Sequence, residues 1–279
     1  MRFVKSLALV VLATLVISTP VPPPQTLGRR AEVSTYPAST GAIQGLNNWN
    51  CKPSTEHPHA LVLVHAMLPD ATTNWFYMAP KFLAKGYCVF ALNYGQMNSQ
   101  SILYGLDSMV TSAQQLAVFI DKILAATNTT QVDMFGQSEG TLMPRYYLKF
   151  LGGATKVHKF AGVSSNMYGT TLYGLTKLLA PYIPYDSLKK DFDSICPVCL
   201  ELLTDSPFLK KLNEGGDTVP GVQYLMIASK LDQTVSPYTN GFLRDNNPNV
   251  RNQILQNWCP FDVSEHILQA FDRKCAHDP

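Results

Sequence analysis

Three stretches of the chain are apolar almost without a break: Ala60 to Ala66 (ALVLVHA), Tyr87 to Tyr94 (YCVFALNY) and Val222 to Ser229 (VQYLMIAS). The first, lacking the polar alternation of a half-exposed strand, predicts a strand covered on both faces, and the other two predict further strands. Elsewhere the periodicity changes. Leu106 to Ala126 carries apolar residues at helical spacing, and Thr72 or Thr73 can cap a helix reaching about Lys85, where Gly86 ends it. Val157 to Ser164 predicts another strand, Asn252 to Trp258 the last one, and Val263 to Arg273 a closing helix. Strands alternating with helices imply right-handed crossovers, hence an α/β fold with a mostly parallel central sheet flanked by helices. The rhythm lapses between residues 166 and 221, which is expected to form a helical cap or lid insertion on the body. Ala31 to Pro58 is polar and turn-rich and assigns to no element.

One stretch combines both periodicities around a serine. In QVDMFGQSEGTLMPR, residues 131–145, Val132, Met134 and Phe135 lead into Gly136-Gln137-Ser138-Glu139-Gly140, and a helix-compatible segment to Leu151 follows. Gly152-Gly153 then ends that helix. A nucleophile on so sharp a strand-to-helix bend needs neighbours without side chains, so that strand and helix can approach each other. The bend would hold the Ser138 hydroxyl over a helix N-terminus, where free N–H groups favour developing negative charge.

The chain termini and cysteines point to a compartment. Arg2 and Lys5 precede the apolar run Leu7 to Ile17, which is too short to span a bilayer, so residues 1–18 read as a secretory signal peptide. Residues 19–30 form a Pro-rich linker or propeptide; Arg29-Arg30 is either a dibasic processing site or plain solvated linker. Residues 31–279 are then one domain. Six cysteines in an exported chain read as three disulfides, and of the fifteen possible pairings sequence proximity favours Cys196–Cys199 and Cys259–Cys275, which leaves Cys51–Cys88. Asn128-Thr129-Thr130 is a glycosylation sequon for a eukaryotic host. With 46% hydrophobic and 15% charged residues and a net charge of +2, the chain is globular, and no basic run suggests nucleic acid.

A serine hydroxyl becomes a nucleophile only when a histidine accepts its proton, and that histidine needs an acid to fix its tautomer. Downstream of Ser138 stand His158, His266 and His277. His158 precedes a strand and so belongs to the wrong end of the sheet, and His277 is the third-last residue. His266 follows the last strand, where a loop can carry it back over the sheet, and is the expected base. Asp232, just past a strand's carboxyl end, projects from the same edge as Ser138 and is the expected acid. Asp205 and Asp217, in the insertion, are expected to be solvated, and Asp262 and Glu265 to lie on the histidine's own loop or helix. In this architecture the oxyanion donors are the N–H after the nucleophile, Glu139, and one from the loop after the early strand, Met67. His65 reads as structural.

At these residues the chain resembles the secreted class 2 lipases of the α/β-hydrolase superfamily, of actinomycete and fungal type. The matching segments are NNWNCKP, ALVLVHA, GYCVFALNYG, GQSEGTLMPRYYLKFLGG, GTTLYGLTKLL, FLKKLNEGGDTVPGV, SKLDQTVSPYT and WCPFDVSEH, in order from about residue 45 to 270. The resemblance implies a triacylglycerol lipase or carboxylesterase with Ser138, Asp232 and His266 as triad. It implies no metal or organic cofactor. Its partner would be a lipid or small acyl-ester substrate, met in solution or at a lipid–water interface, with no transmembrane anchor and a monomeric chain. Leu172, Tyr173 and Leu175 would line the acyl groove. Three positions depart from the family pattern: Ala66 stands where a glycine is usual, Gln137 where a histidine is usual, and Glu139 where a glutamine is usual. Alanine at 66 is strained if that site needs φ > 0. A carboxylate at 139 opposes an oxyanion unless its side chain turns to solvent.

Overall fold

The computed structural model describes residues 36–37, 43–172, 174 and 185–271. The expected signal peptide, the linker, Tyr173, Leu175, Cys275 and His277 lie outside the described residues.

The apolar runs become the centre of one sheet. Its strands are β1 (Tyr36–Pro37), β2 (Ala60–Val64), β3 (Val89–Asn93), β4 (Val132–Gln137), β5 (Val157–Val163), β6 (Gln223–Ala228) and β7 (Val250–Ile254). Their spatial order is β1-β3-β2-β4-β5-β6-β7, parallel throughout except for β1, which runs antiparallel to β3. All five residues of β2 and of β3 are buried. Successive residues feed opposite cores: Ala60, Val62, Val64, Phe90 and Leu92 pack on one face, and Leu61, Leu63, Val89 and Ala91 on the other. This is why both strands read as unbroken apolar runs.

Helices cover both faces. The expected helix from Thr72 to Lys85 is two: α1 (Ala71–Trp75) and α2 (Met78–Ala84). Asp70, not a threonine, caps the first, its side chain accepting the Thr73 N–H at 2.6 Å. α3 (Met109–Thr127) is capped by Ser108 and ends on Asn128 in the left-handed conformation, a residue that tolerates it. α4 (Glu139–Phe150) begins directly after Ser138.

Residues 43–58, unassignable by pattern, act as a strand substitute. The Asn47 side chain donates to the Ala91 carbonyl at 2.9 Å and accepts the Ala91 N–H at 2.8 Å, serving the outer edge of β3 where β1 does not reach. Trp49 packs on Phe90 and Phe119, and Cys51 is bonded to Cys88.

The described part of 166–221 carries three helices, α5 (Tyr185–Phe192), α6 (Pro197–Glu201) and α7 (Pro207–Asn213), joined by turns. The Cys196–Cys199 disulfide sits at the start of α6. Cys259 is disulfide-bonded, and its expected partner Cys275 lies outside the described residues. Asp217 corrects the expectation of a solvated acid. It is buried and salt-bridged to the equally buried Arg145 of α4 at 3.1 Å, fastening the insertion's end to the body. Asp205 is exposed, as expected.

The carboxyl-terminal part also departs from its pattern. β7 stops at Ile254 and the remaining residues of the expected last strand form α8 (Leu255–Trp258). Among the described residues, 263–271 do not form the expected closing helix: the chain runs irregularly to a 3-10 turn, Leu268–Phe271. Side chains there take over the local backbone donors, since Asp262 accepts the Ser264 N–H and Glu265 those of Ile267 and Leu268. A six-stranded parallel array with one antiparallel edge strand and helices on both faces is the α/β-hydrolase arrangement.

Candidate active site

Ser138 sits at the apex of the bend between β4 and α4, with φ 53° and ψ −117°. Few residues hold positive φ outside glycine, so the bend is enforced by what surrounds it. A Cβ on Gly136 would lie 2.0 Å from the Gly140 carbonyl oxygen, and one on Gly140 would lie 2.1 Å from the Val64 oxygen. Both glycines are therefore required for strand, helix and the end of β2 to meet. The Thr141 hydroxyl donates to the Ser138 carbonyl at 2.7 Å and closes the turn.

Three distant segments converge there. His266 Nε2 is 2.8 Å from Ser138 Oγ, and His266 Nδ1 is 2.8 Å from Asp232 Oδ2. Ionised carboxylate oxygens only accept, so Nδ1 carries the proton and Nε2 is free to accept from the serine hydroxyl. Asp232 follows β6 in a turn, and its second oxygen accepts the N–H groups of Thr234 and Val235 at 2.9 and 2.8 Å. Both carboxylate oxygens are thereby engaged, which fixes the orientation of the side chain. The His266 backbone is held by the Ser164 hydroxyl, which donates to its carbonyl.

The other histidines stand elsewhere. His158 Nδ1 is 3.1 Å from Asp133 Oδ1, near the amino ends of β4 and β5, away from Ser138. His65 is buried against Tyr94, its ring stacked at 4.1 Å. Its Nδ1–H donates to the Ala66 carbonyl at 2.6 Å and its Nε2 accepts the Tyr94 N–H. Burial pushes its pKa down to about 4, so the ring is neutral, as both bonds require.

The loop bearing Ala66 and Met67 runs beside the bend. Ala66 is not in the positive-φ region; in this loop Leu68 is, at φ 87°, so the alanine carries no such strain. Glu139 does not turn to solvent. It is wholly buried, and among the described residues neither carboxyl oxygen has a hydrogen-bond partner. Desolvation, reinforced by Glu201, holds its pKa well above the ordinary carboxylate range, which favours the neutral acid beside Ser138. Leu172 is half-buried in a turn. Among the described residues, no group of three or more His, Cys, Asp or Glu is placed to hold a metal ion.

Two side chains that face this site were not singled out by sequence, Asn74 and Ser164. Asn74 had a legible signal: with Ala71 and Trp75 it occupies the inward stripe of α1, an amide where the pattern asks for an apolar residue.

No sequence among curated proteins matches the chain. Among solved structures it is similar to lipase B of Aspergillus fumigatus, with a TM-score of 0.60 and 21% identity over 83% of this chain and 51% of that one. It thus spans about half the length of that protein. The mature form of lipase BlEst2 of Bacillus licheniformis is a more distant likeness, with a TM-score of 0.47 and 18% identity over 65% of this chain and 67% of the other. At such identities the first likeness speaks for the fold alone. The sequence itself carries more: the model of a family described as Lipase (class 2) matches residues 58–274, most of the chain, and by that match the protein belongs to the class 2 lipase family.

Proposed function

We propose that this protein is a secreted serine ester hydrolase that cleaves acyl esters through Ser138, His266 and Asp232. One observation carries the reading: a hydroxyl, an imidazole and a carboxylate from positions 138, 266 and 232 stand in line at 2.8 and 2.8 Å. Ser138 Oγ attacks the ester carbonyl carbon while His266 Nε2 takes its proton. The Asp232 carboxylate stabilises the imidazolium. The carbonyl oxygen, now an anion, is received by the backbone N–H groups of Met67 and Glu139. Neither N–H donates to another acceptor among the described residues, which supports that role. His266 then passes its proton to the leaving alcohol oxygen as the C–O bond breaks. Water attacks the acyl-enzyme by the same proton route and releases the carboxylic acid.

The acyl chain would enter beside the insertion, with Leu172, Tyr173 and Leu175 as groove residues. Exposed apolar side chains surround the His266 loop, among them Phe261 (90% exposed), Val263 (72%) and Ile267 (61%). They favour a lipid–water interface as the place of work, since apolar surface of this density is rarely left to water alone. Two disulfides and a disulfide-bonded Cys259 support an oxidising compartment, as the signal peptide at 1–18 would require. Asn128, exposed at the end of α3, would accept a glycan in a eukaryotic host.

A fluorophosphonate probe beside p-nitrophenyl esters from acetate to palmitate and emulsified triglyceride tests the reading. Labelling and turnover should both vanish in Ser138→Ala, and His266→Ala or Asp232→Asn should lower turnover far more than stability. Folded protein that neither labels nor hydrolyses any ester would replace the enzyme with a hydrolase-like lipid- or partner-binding protein. Action on soluble short esters alone would make it an esterase.

A further inference from the structure

We propose that Asn74 and Gln137 form a relay of side-chain amides that sets the oxyanion loop and the histidine loop at a fixed spacing across Ser138. It rests on the hydrolase reading above and makes both residues positioning residues. The Ala66 N–H donates to Asn74 Oδ1 at 3.1 Å, and Asn74 Nδ2 donates to Gln137 Oε1 at 2.8 Å. Gln137 Nε2 in turn donates to the carbonyls of His266 and Ile267 at 3.4 and 3.3 Å. Five residues from four parts of the chain are thereby joined through two buried amides.

The direction of the relay is fixed. Flipping the Asn74 amide would set an NH2 against the Ala66 N–H. Flipping the Gln137 amide would set an oxygen against two carbonyl oxygens. Either leaves buried polar groups unpaired, which is strongly disfavoured. The far end is anchored as well, because the Ala71 N–H at the start of α1 donates to Asn93 Oδ1 at 2.7 Å, at the end of β3.

The consequence for chemistry follows from peptide planarity. Asn74 holds the Ala66 N–H, and His65 Nδ1–H holds the Ala66 carbonyl. With that carbonyl fixed, the Met67 N–H of the same trans peptide must point the opposite way. At the other end, Gln137 and Ser164 both grip the His266 carbonyl, so the imidazole hangs from an immobile backbone. Gln137 immediately precedes the nucleophile. It therefore ties the proposed oxyanion donor and the base to the serine they serve, without itself touching any of the reacting atoms.

Loss of the relay should act on the reaction step and spare binding. With a soluble p-nitrophenyl ester, Gln137→Met and Asn74→Leu, near-isosteric and without amide hydrogen bonds, should each lower kcat by about 10- to 100-fold while KM stays within about twofold. The double variant should be no slower than the slower single, because one relay is cut either way. Gln137→Glu, which keeps the acceptor for Asn74 but sets a carboxylate against two carbonyls, should fall below Gln137→Met. Should Asn74→Leu not fold, Asn74→Ser takes its place in the cycle. Single variants with kcat within about twofold of the parent, or effects that multiply in the double, would overturn the relay. If the parent hydrolyses and labels with nothing, the hydrolase reading fails, and the same cycle on the urea-unfolding midpoint judges the relay. A double shift equal to the larger single supports it; a shift equal to their sum overturns it.

Discussion

Glu139 stands next to Ser138 with its carboxyl group sealed from water and unpartnered among the described residues, against the Cα of Gly105. Such a group persists only by keeping its proton. The unfolded chain releases that proton near 4.5, whereas the folded chain holds it to much higher pH. Between those values the folded state binds the extra proton, so stability falls as pH rises above 4.5. Glu139→Gln cannot ionise. Its thermal midpoint should gain on the parent's steadily from about pH 5 upward, and its hydrolytic rate should persist further into the alkaline range. Parallel melting curves across pH would show that the acid is not held neutral. Sequence placed a carboxylate at 139 but could not say where its side chain lies, because nothing local distinguishes a first-turn glutamate facing solvent from one facing a glycine 34 positions away. The tight bend at Ser138 was legible, since flanking glycines let strand and helix approach each other closely.

At the scale of elements, those glycines differ in kind from the others. Gly140 is needed because a Cβ there would lie 2.1 and 2.6 Å from two backbone carbonyl oxygens of 64 and 65, which have no freedom to retreat. Gly152 has positive φ (79°) but open space around it. Gly140→Ala should therefore cost about 3 kcal/mol or more and displace Ser138, whereas Gly152→Ala should cost only about 1 kcal/mol of backbone strain. Urea denaturation of the two variants side by side checks the contrast, and equal losses would contradict it. The strands and α3 were legible because their periodicity reports burial directly. The closing helix was misread for a definite reason. Spacing over 263–273 is helical, but Asp262 and Glu265 take up the N–H groups of Ser264, Ile267 and Leu268, and within the described residues regular turning begins only at the 3-10 turn Leu268–Phe271.

The whole molecule depends on a few long connections. Cys51–Cys88 closes a loop of sequence separation 37, and Cys196–Cys199 one of separation 3. In the chain-entropy model the first is worth about 4 kcal/mol and the second about 1.6 kcal/mol. Cys51→Ala/Cys88→Ala should thus lower the unfolding midpoint much more than Cys196→Ala/Cys199→Ala, measured in parallel by urea titration. The reverse order would mean that the short bridge organises the insertion. The insertion is joined to the body by a second kind of link, polar and buried. Arg145 reaches Asp217 and the Met167 carbonyl, and Glu201 of α6 accepts the Met109 N–H that opens α3 at 2.7 Å. Burial pushes the Glu201 carboxyl up to about 7. By the same sign as Glu139, the folded chain holds a proton that the unfolded chain has released, so stability should decline between about pH 4.5 and 7 and then level off at this group.

By itself the sequence determined the alternation of strands and helices, the two-faced burial of β2, and the tight strand-to-helix bend that carries Ser138. Each of these is written in residues adjacent along the chain, where spacing alone records which way side chains face. Tertiary structure alone decided that Asp217 is buried, that Ala66 is unstrained, and that Asn74 and Gln137 bridge two loops. Those outcomes depend on atoms brought together from 60 to 130 positions apart, and no local pattern of polarity carries a distance of that kind.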